Sequence, residues 1–165
     1  MNLEATFGAG CFWGVEELFS RLDGVREAIS GYSGGNLENP TYQDICTGTT
    51  GHAEVVRIHY DPELISFEEL VDYFFRLHDP TTLNKQGMDH GTQYRSVIFY
   101  HNDEQKETAQ KVMSKREESG LYSDPIVTEL SPVEKFYPAE DYHQDYYLKK
   151  YNGATGPICH FLRPK

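Results

Sequence analysis

The side chains best suited to redox or nucleophilic chemistry in this chain are its three cysteines, Cys11, Cys46 and Cys159. Cys11 follows the sequence GAG at residues 8–10, where an N-terminal strand is expected to turn into a helix. Unpaired amides at a helix N-terminus carry partial positive charge, so the pKa of a thiol there can fall from about 8.5 to ~3.5–7.5. Cys11 is therefore a candidate nucleophile, and a buried structural cysteine beside a turn is the alternative. An odd number of widely spaced cysteines does not suit the disulfide framework of a small secreted protein.

Two aromatic residues, Phe12 and Trp13, directly follow the candidate nucleophile. Trp13 is the only tryptophan of the chain, and beside a reactive thiol it could form one wall of an apolar pocket. Large apolar side chains more commonly belong to the core. Position in the sequence leaves both interpretations open.

Other functions of a reactive or metal-binding cysteine each require particular partner residues or motifs. A cysteine hydrolase or acyltransferase would pair Cys11 with a histidine base, for which three residues are candidates: His52, His90 and His143. No hydrolase motif surrounds Cys11, and an aromatic pair after a nucleophile suits a methyl pocket better than an oxyanion turn. The Cys-x-x-Cys motif of thioredoxin-like proteins is absent, and Cys159 with His160 lacks the ligand spacing of a zinc site. A non-catalytic acidic binding module is the alternative outside enzymes.

The charge and hydropathy of the chain argue against several partners. With 15 Lys and Arg against 26 Asp and Glu, the net charge is −11 over 165 residues. Nucleic acid is not an expected partner because phosphate backbones are bound by Lys and Arg, and anionic membrane surfaces are disfavoured for the same reason. The longest apolar run is shorter than the ~18–20 residues that cross a bilayer, and the pattern of a secretory signal is absent. A cytoplasmic protein is therefore expected.

Hydrophobic periodicity and turn signals predict the order of elements in the first hundred residues. Strands are predicted at 3–7, 25–32, 53–60 and 94–100, and helices at 12–22 and 66–78. The second of these helices begins with a capping box, SFEE at residues 66–69. The order strand-helix-strand-strand-helix-strand is that of the ferredoxin-like split βαβ unit. The expected fold class is therefore α+β, a ferredoxin-like sandwich.

Further elements are predicted around and after this unit. A long polar loop at 79–93 has a length that is usually functional or disordered. A short helical turn is expected from Thr41, a polar helix at 103–119, a strand at 126–130 and a helix at 140–150. The tail contains glycines and prolines and is predicted to be irregular. We therefore expect a single catalytic α+β domain at residues 1–151 and a mobile tail at 152–165 that carries Cys159.

Nine short segments together resemble a known enzyme family. The motif GCFWG at residues 10–14, followed by Val15 and Glu16, is similar to the signature of the A-type peptide methionine sulfoxide reductases. Eight further segments agree in order: GYSGG at 31–35, PTY at 40–42, GHAE at 51–54, YDP at 60–62, HDPT at 78–81, QGMD at 86–89, GTQYRS at 91–96 and AEDYHQDY at 139–146. The resemblance extends from Leu3 to about Tyr151.

This resemblance implies that the substrate is methionine S-sulfoxide, free or within a peptide, and that Cys11 attacks its sulfur. Sulfoxide sulfur is a poor electrophile until its oxygen is protonated or hydrogen-bonded. The reaction therefore needs a thiolate, a proton donor and an apolar recess for the methyl group. The resemblance implies that Glu54 is the acid, which requires burial to raise its pKa from the usual ~4.3. Without the resemblance, Glu54 would be read as a solvated carboxylate at a strand edge.

The other site residues also follow from the resemblance. Tyr42 and Tyr94 correspond to hydroxyl donors to the sulfoxide oxygen, an arrangement similar to an oxyanion hole. Phe12 and Trp13 would enclose the methyl group, and Asp89 would help to orient the substrate. Taken singly, a tyrosine is more often a packing residue, and Asp89 fits a loop cap equally well.

Attack on the sulfoxide would leave Cys11 as a sulfenic acid. Similar reductases commonly resolve it with a C-terminal cysteine, and the resulting disulfide is opened by thioredoxin. Cys159 is the candidate resolving residue, with Cys46 read as structural and as the alternative resolver. Some relatives have two C-terminal cysteines and this chain has one, so a single-resolver cycle is expected. No bound cofactor or metal is expected. The implied external reductant is thioredoxin or another dithiol, and the implied partners are oxidised proteins or peptides containing methionine sulfoxide.

Overall fold

A computed structural model of the protein describes residues 2–150, 160, 162 and 163. Eight strands occur in these residues: β1 (Leu3–Ala9), β2 (Val25–Ser33), β3 (Ala53–Tyr60), β4 (Lys85–Gln86), β5 (Asp89–His90), β6 (Ser96–Tyr100), β7 (Glu129–Pro132) and β8 (Tyr137–Pro138). Five α-helices accompany them: α1 (Phe12–Ser20), α2 (Tyr42–Cys46), α3 (Phe67–Arg76), α4 (Asp103–Glu118) and α5 (Tyr146–Lys150). Two short 3₁₀-helices lie at Thr92–Tyr94 and Asp141–His143. No helix in this described part of the chain has the length and apolar character needed to span a membrane.

A six-stranded sheet in the order β7-β6-β1-β3-β2-β8 forms the centre of the fold. Adjacent strands among the four middle ones are antiparallel to each other, while β7 pairs with β6 in parallel. With α1 after β1 and α3 after β3, the middle strands follow the chain as strand-helix-strand-strand-helix-strand. Their spatial order is fourth, first, third, second. The predicted ferredoxin-like split βαβ unit is therefore confirmed.

The main core lies between one face of the sheet and the two crossover helices. Phe7 of β1 is fully buried and stacks on Phe19 of α1 and on Phe74 of α3, each with 5.2 Å between ring centroids. Both helices therefore cover the same face of the sheet. Burial of each such aromatic side chain contributes roughly 1.5–3 kcal/mol.

The predicted capping box at the start of α3 is also present. The Ser66 Oγ accepts a hydrogen bond from the amide of Glu69 at 3.1 Å, and the Ser66 amide donates to the Glu69 carboxylate at 3.2 Å. These two bonds satisfy donors that the first turn of a helix otherwise leaves unpaired.

The structure differs from the sequence prediction mainly toward the C-terminus. The helix predicted at 140–150 is interrupted: a 3₁₀ turn at Asp141–His143 and α5 are separated by Asp145, whose φ of 53° lies in the left-handed region. The strand predicted at 126–130 is shifted to Glu129–Pro132, where it pairs with β6. The loop predicted at 79–93 contains the β4–β5 hairpin. Cys159 and most of the predicted tail lie outside the described residues.

Candidate active site

Cys11 occupies the turn between β1 and α1, at the N-cap position of α1. Gly10 makes this turn with a φ of 92°, and a Cβ at that position would come within 2.8 Å of the Gln86 side chain. Only glycine fits both the backbone conformation and the space. Cys11 is partly exposed and borders a cavity of about 230 Å³. The fold therefore presents the sulfur at the N-terminus of a helix and at the edge of a recess.

Glu54 lies beside the start of the same helix. Its side chain is 1% exposed, and its Oε1 accepts a hydrogen bond of 3.2 Å from the backbone N–H of Phe12, the residue after Cys11. The two residues are brought together because β3 pairs directly with β1. A buried carboxyl next to the candidate nucleophile is the arrangement that the sequence resemblance requires, and the alternative of a solvated strand-edge carboxylate is wrong.

Tyr42 and Tyr94 lie near Glu54. Burial raises the pKa of each phenol well above its usual value, and the negative charge of Glu54 is the next cause in both cases. The charges of Asp89 and Cys11 raise the pKa of Tyr94 further. Both phenols are therefore protonated at neutral pH and can donate hydrogen bonds. The structure brings these five residues to one location.

Phe12 and Trp13 have different environments although they are adjacent in the sequence. Phe12 is 1% exposed, and its ring contacts Tyr32 with a centroid distance of 5.6 Å. Trp13 is partly exposed and stacks on Tyr146, with ring centroids 3.9 Å apart and an interplanar angle of 9°. Phe12 is thus a core residue beneath the site, and Trp13 is an aromatic surface beside it.

Asp89 lies on the β4–β5 hairpin and lines the same cavity as Cys11. Its carboxylate is partly buried. Because the hairpin packs over the glycine turn through Gln86, the loop at 79–93, which was expected to be either functional or disordered, borders the candidate site.

His143 is a site residue that sequence reasoning assigned differently. It was a candidate base for Cys11 in the hydrolase interpretation, but its Nδ1 accepts a hydrogen bond of 2.9 Å from the Trp13 indole. Burial lowers its pKa, so the imidazole is neutral at neutral pH. His52 is likewise engaged elsewhere, since its ring bonds the backbone of Gly35 and Leu37 at 3.0 and 2.7 Å. His90, the third candidate, is an exposed residue of β5.

Glu140 and Tyr146 were missed as individual residues. The Glu140 carboxylate accepts hydrogen bonds from the Tyr32 hydroxyl at 2.9 Å and from the amide of Tyr42 at 3.0 Å. Glu140 thereby fixes the start of α2, which carries Tyr42. The only sequence signal for these two residues was their membership of the segment AEDYHQDY, since their contacts are with residues about a hundred positions away.

The other two cysteines of the chain are Cys46 and Cys159. Cys46 is exposed at the end of α2, and its proximity contributes to the raised pKa of the Tyr42 phenol, after burial and the charge of Glu54. Cys159 lies outside the described residues, but the next residue, His160, lines the Cys11 cavity and donates from Nε2 to the carbonyl of Ala9 at 2.6 Å. Among the described residues, no three His, Cys, Asp or Glu side chains are grouped so that they could hold a metal ion.

Arg163 joins this end of the chain to α3. Its backbone amide donates to the Arg76 carbonyl at 2.7 Å, and the Arg76 side chain donates back to the Arg163 carbonyl at 2.8 Å. The Arg163 guanidinium also donates to the carbonyl of His78 at 3.3 Å. The described part of the C-terminal segment is therefore attached next to the Cys11 cavity.

Comparison with known proteins identifies the family. A family model described as peptide methionine sulfoxide reductase matches residues 3–161. The chain belongs to the peptide methionine sulfoxide reductase family. The peptide methionine sulfoxide reductase MsrA of Methanothermobacter thermautotrophicus is 58% identical over 146 residues, which are 88% of this chain and 86% of the relative. That of Acidobacterium capsulatum is 55% identical over 157 residues, 95% and 98% of the two chains.

Solved structures of reductases agree with this assignment. The reduced form of Mxr1 from Saccharomyces cerevisiae is similar with a TM-score of 0.87 and 38% identity, covering 99% of this chain and 93% of the other. Methionine sulfoxide reductase A of Corynebacterium diphtheriae has a TM-score of 0.80 and 37% identity, with coverages of 99% and 84%. A structure of Mxr1 in complex with Trx2 has a TM-score of 0.64 and 30% identity, with coverages of 99% and 91%. The chain is therefore a peptide methionine sulfoxide reductase, as the resemblance implied.

Proposed function

We propose that this reductase converts methionine S-sulfoxide, free or in oxidised proteins, to methionine by attack of Cys11 on the sulfoxide sulfur. Glu54 is the proton donor, and Tyr42 and Tyr94 bind the sulfoxide oxygen. The observation that carries the proposal is the buried carboxyl of Glu54 bonded to the backbone amide next to Cys11. The protein would act in the cytoplasm as a repair enzyme.

The first step transfers oxygen from the substrate to Cys11. The Cys11 thiolate donates its electron pair to the sulfoxide sulfur, and a proton passes from Glu54 to the sulfoxide oxygen. The amides at the start of α1 favour the thiolate, and burial favours the protonated form of the carboxyl. The attack forms a bond between the Cys11 sulfur and the substrate sulfur. The protonated oxygen then moves from the substrate sulfur to the Cys11 sulfur as the sulfur–sulfur bond breaks, which leaves Cys11 as a sulfenic acid and releases the methionine thioether. Sulfur of the substrate is reduced by two electrons and that of Cys11 is oxidised by two.

Tyr42 and Tyr94 would stabilise the charge that develops on the oxygen during this attack. Their raised pKa values keep both hydroxyls protonated at neutral pH. Donors already fixed toward a developing oxyanion are worth about 3–4 kcal/mol each when measured by removal. The two tyrosines therefore act mainly on the transition state and less on binding of the sulfoxide.

Trp13 would form the wall for the substrate methyl group, with Phe12 supporting it from the core. A flat apolar surface next to a thiolate admits a small apolar group and excludes water. Asp89, on the opposite hairpin, would orient the substrate from the other side of the recess. Its shared cavity with Cys11 supports this role.

Resolution of the sulfenic acid is proposed to use Cys159. Its thiol would attack the sulfenic sulfur of Cys11, release water and form a disulfide, which thioredoxin or another dithiol then reduces. Two observations support this assignment: His160, covalently next to Cys159, lines the Cys11 cavity, and Arg163 is bonded to the end of α3. The complex of the related Mxr1 with Trx2 supports thioredoxin as the reductant.

A single-turnover experiment tests the proposal. The reduced protein is mixed with one equivalent of a peptide containing methionine S-sulfoxide and then digested for mass spectrometry. We expect one equivalent of methionine and a peptide pair linking Cys11 to Cys159, and no product from the variant Cys11→Ser. A Cys11→Ser variant that still forms methionine would refute the proposal, as would an acyl adduct on Cys11 with thioester substrates. A link between Cys11 and Cys46 would refute the resolving role of Cys159 alone.

A further inference from the structure

A second buried carboxyl, Glu16, lies one helical turn after Trp13 on the same helix. It is 2% exposed and occupies the interface between α1, β2 and the segment before α5. Its Oε1 accepts a hydrogen bond of 2.6 Å from the Ser30 hydroxyl, and its Oε2 accepts one of 2.7 Å from the backbone amide of Asp145. The mechanism described above makes no use of this residue.

Asp145 adopts an unusual backbone conformation at this contact. Its φ of 53° is left-handed, a conformation that costs most non-glycine residues about 1–2 kcal/mol. Aspartate tolerates it better than most residues, and here the bond from its amide to Glu16 holds it. This turn separates the 3₁₀ helix at Asp141–His143 from α5 and thus determines the direction in which α5 begins.

The residue after this turn is Tyr146, whose ring stacks on Trp13 at 3.9 Å. The residue two positions before the turn is His143, which accepts the indole hydrogen bond. The hydrogen bond of Trp13 and its shortest ring contact therefore both come from the segment that Glu16 holds at Asp145, while a third contact, with Tyr42 of α2, has ring centroids 6.5 Å apart. Trp13 and Glu16 lie on the same helix, and both contact the segment around Asp145. The position of this segment relative to α1 therefore also sets the position of the indole.

The neighbouring residue Gln144 attaches the same segment to the sheet. Its side-chain amide accepts from the Ser30 amide at 2.9 Å and donates to the carbonyls of Ser30 and Ala139 at 2.8 and 3.0 Å. Ser30 thus contacts both Gln144 and Glu16. The segment is fixed to β2 independently of Glu16, so removal of the Glu16 carboxyl should release the turn locally without detaching the whole segment.

We propose that Glu16 is a positioning residue of the substrate wall, which holds the turn at Asp145 so that Tyr146 and His143 fix the indole of Trp13. This inference rests on the proposed role of Trp13 beside the substrate methyl group. Burial raises the pKa of Glu16 to about 8, so at neutral pH its carboxyl is protonated and offers one donor and acceptor oxygens. Glutamine has the same shape: its carbonyl oxygen can accept from the Asp145 amide while its NH₂ group donates to the Ser30 hydroxyl oxygen. Glu16→Gln is therefore the conservative variant.

The test uses the fact that Trp13 is the only tryptophan, so its fluorescence reports on the wall directly. Glu16→Ala should shift the emission of Trp13 and raise KM for a sulfoxide peptide about three- to tenfold with little change in kcat, since loss of an aromatic contact weakens ground-state and transition-state binding alike. Glu16→Gln should restore both values. Tyr146→Ala should give the same changes, and the double variant should be no worse than either single variant.

Several results would overturn the inference. One is a folded Glu16→Ala protein with the Trp13 emission and the KM of the wild type. Another is an additive effect of the Glu16 and Tyr146 substitutions. The third is a Glu16→Gln protein that does not restore the wild-type emission and KM. If Glu16→Ala does not fold, Glu16→Asp takes its place, because the shorter side chain keeps the carboxyl but withdraws it from the Asp145 amide. A wild-type protein without reductase activity would contradict the proposed function, whereas the Trp13 emission of these variants would still decide the role of Glu16.

Discussion

The backbone N–H of Phe12 donates a hydrogen bond of 3.2 Å to Oε1 of Glu54. This bond joins the first turn of α1, where Cys11 is placed, to the beginning of β3. Because β3 pairs with β1, the strand that leads to Cys11, the nucleophile and the carboxyl are fixed by adjacent strands of one sheet. Strands position side chains more rigidly than loops do, so the relation between the two groups depends little on the flexible parts of the chain.

Glu54→Gln should slow the chemical step about 10²- to 10⁴-fold, the usual contribution of a general acid. Glutamine keeps the acceptor for the Phe12 amide but cannot release a proton to the sulfoxide oxygen. The measurement is the rate of methionine formation in a single turnover, compared with KM for the sulfoxide peptide. Glu38→Gln, a substitution of an exposed glutamate, is the matched control. An unchanged single-turnover rate in Glu54→Gln would make Glu54 a structural residue.

Tyr42→Phe and Tyr94→Phe should each lower kcat about 10²- to 10³-fold while KM changes little. Each substitution removes one hydroxyl donor to the developing oxyanion and leaves the ring in place. Steady-state kinetics of the two variants and of Tyr100→Phe, on β6 outside the site, provide the comparison. A large rise in KM with normal kcat would instead show that the hydroxyls act in ground-state binding.

The split βαβ unit could be predicted because its signals are local. The β-branched residues at its centre predict 53–60 as a strand, and the capping box at Ser66 predicts where α3 begins; both agree with the structure. The interruption at Asp145 could not be predicted, since residues 140–150 carry no breaker at that position. It is stabilised by Glu16, a residue 129 positions earlier in the chain.

At the candidate site, too, local features could be predicted from the sequence, whereas contacts between distant residues could not. Cys11 could be recognised as a candidate nucleophile from its glycine turn, but its partner Glu54 was an ordinary strand residue until the resemblance singled it out. The bond between Trp13 and His143 joins residues 130 positions apart. No local sequence pattern around a histidine predicts such a partner. The interpretation of His143 as a hydrolase base therefore stayed open until the fold placed its imidazole against the indole of Trp13.

Cys159→Ser should confine thioredoxin-driven reduction to about one turnover, because the sulfenic acid of Cys11 then lacks its resolving thiol. The burst of methionine should keep its rate, since the substitution leaves the attack by Cys11 untouched. Product formed per enzyme with thioredoxin as the reductant is the quantity to measure. Cys46→Ser is the matched control and should cycle normally. Sustained cycling by Cys159→Ser and a single turnover by Cys46→Ser would exchange the roles of the two cysteines.

The buried His78 should make the fold sensitive to acid. Burial lowers the pKa of His78 to about 3, while Nδ1 donates to the Phe74 carbonyl and Nε2 accepts from the Ser96 hydroxyl, each at 2.7 Å. The unfolded chain, with a histidine pKa of about 6.5, binds a proton that the folded protein does not. Stability is therefore complete above about pH 6.5 and falls as the pH decreases toward 3. Between pH 7 and 5 the loss from this residue is about 2 kcal/mol.

Urea unfolding of the wild type and of His78→Gln at pH 7 and pH 5 measures this effect. The variant should be less stable at pH 7, because it loses the fitted hydrogen bonds of the imidazole, but it should lose about 2 kcal/mol less than the wild type on acidification. His90→Gln, which changes an exposed histidine, should follow the wild type at both pH values. Equal acid dependence of wild type and His78→Gln would mean that carboxylates elsewhere govern the response, since a residue that cannot titrate cannot contribute to the slope of stability with pH.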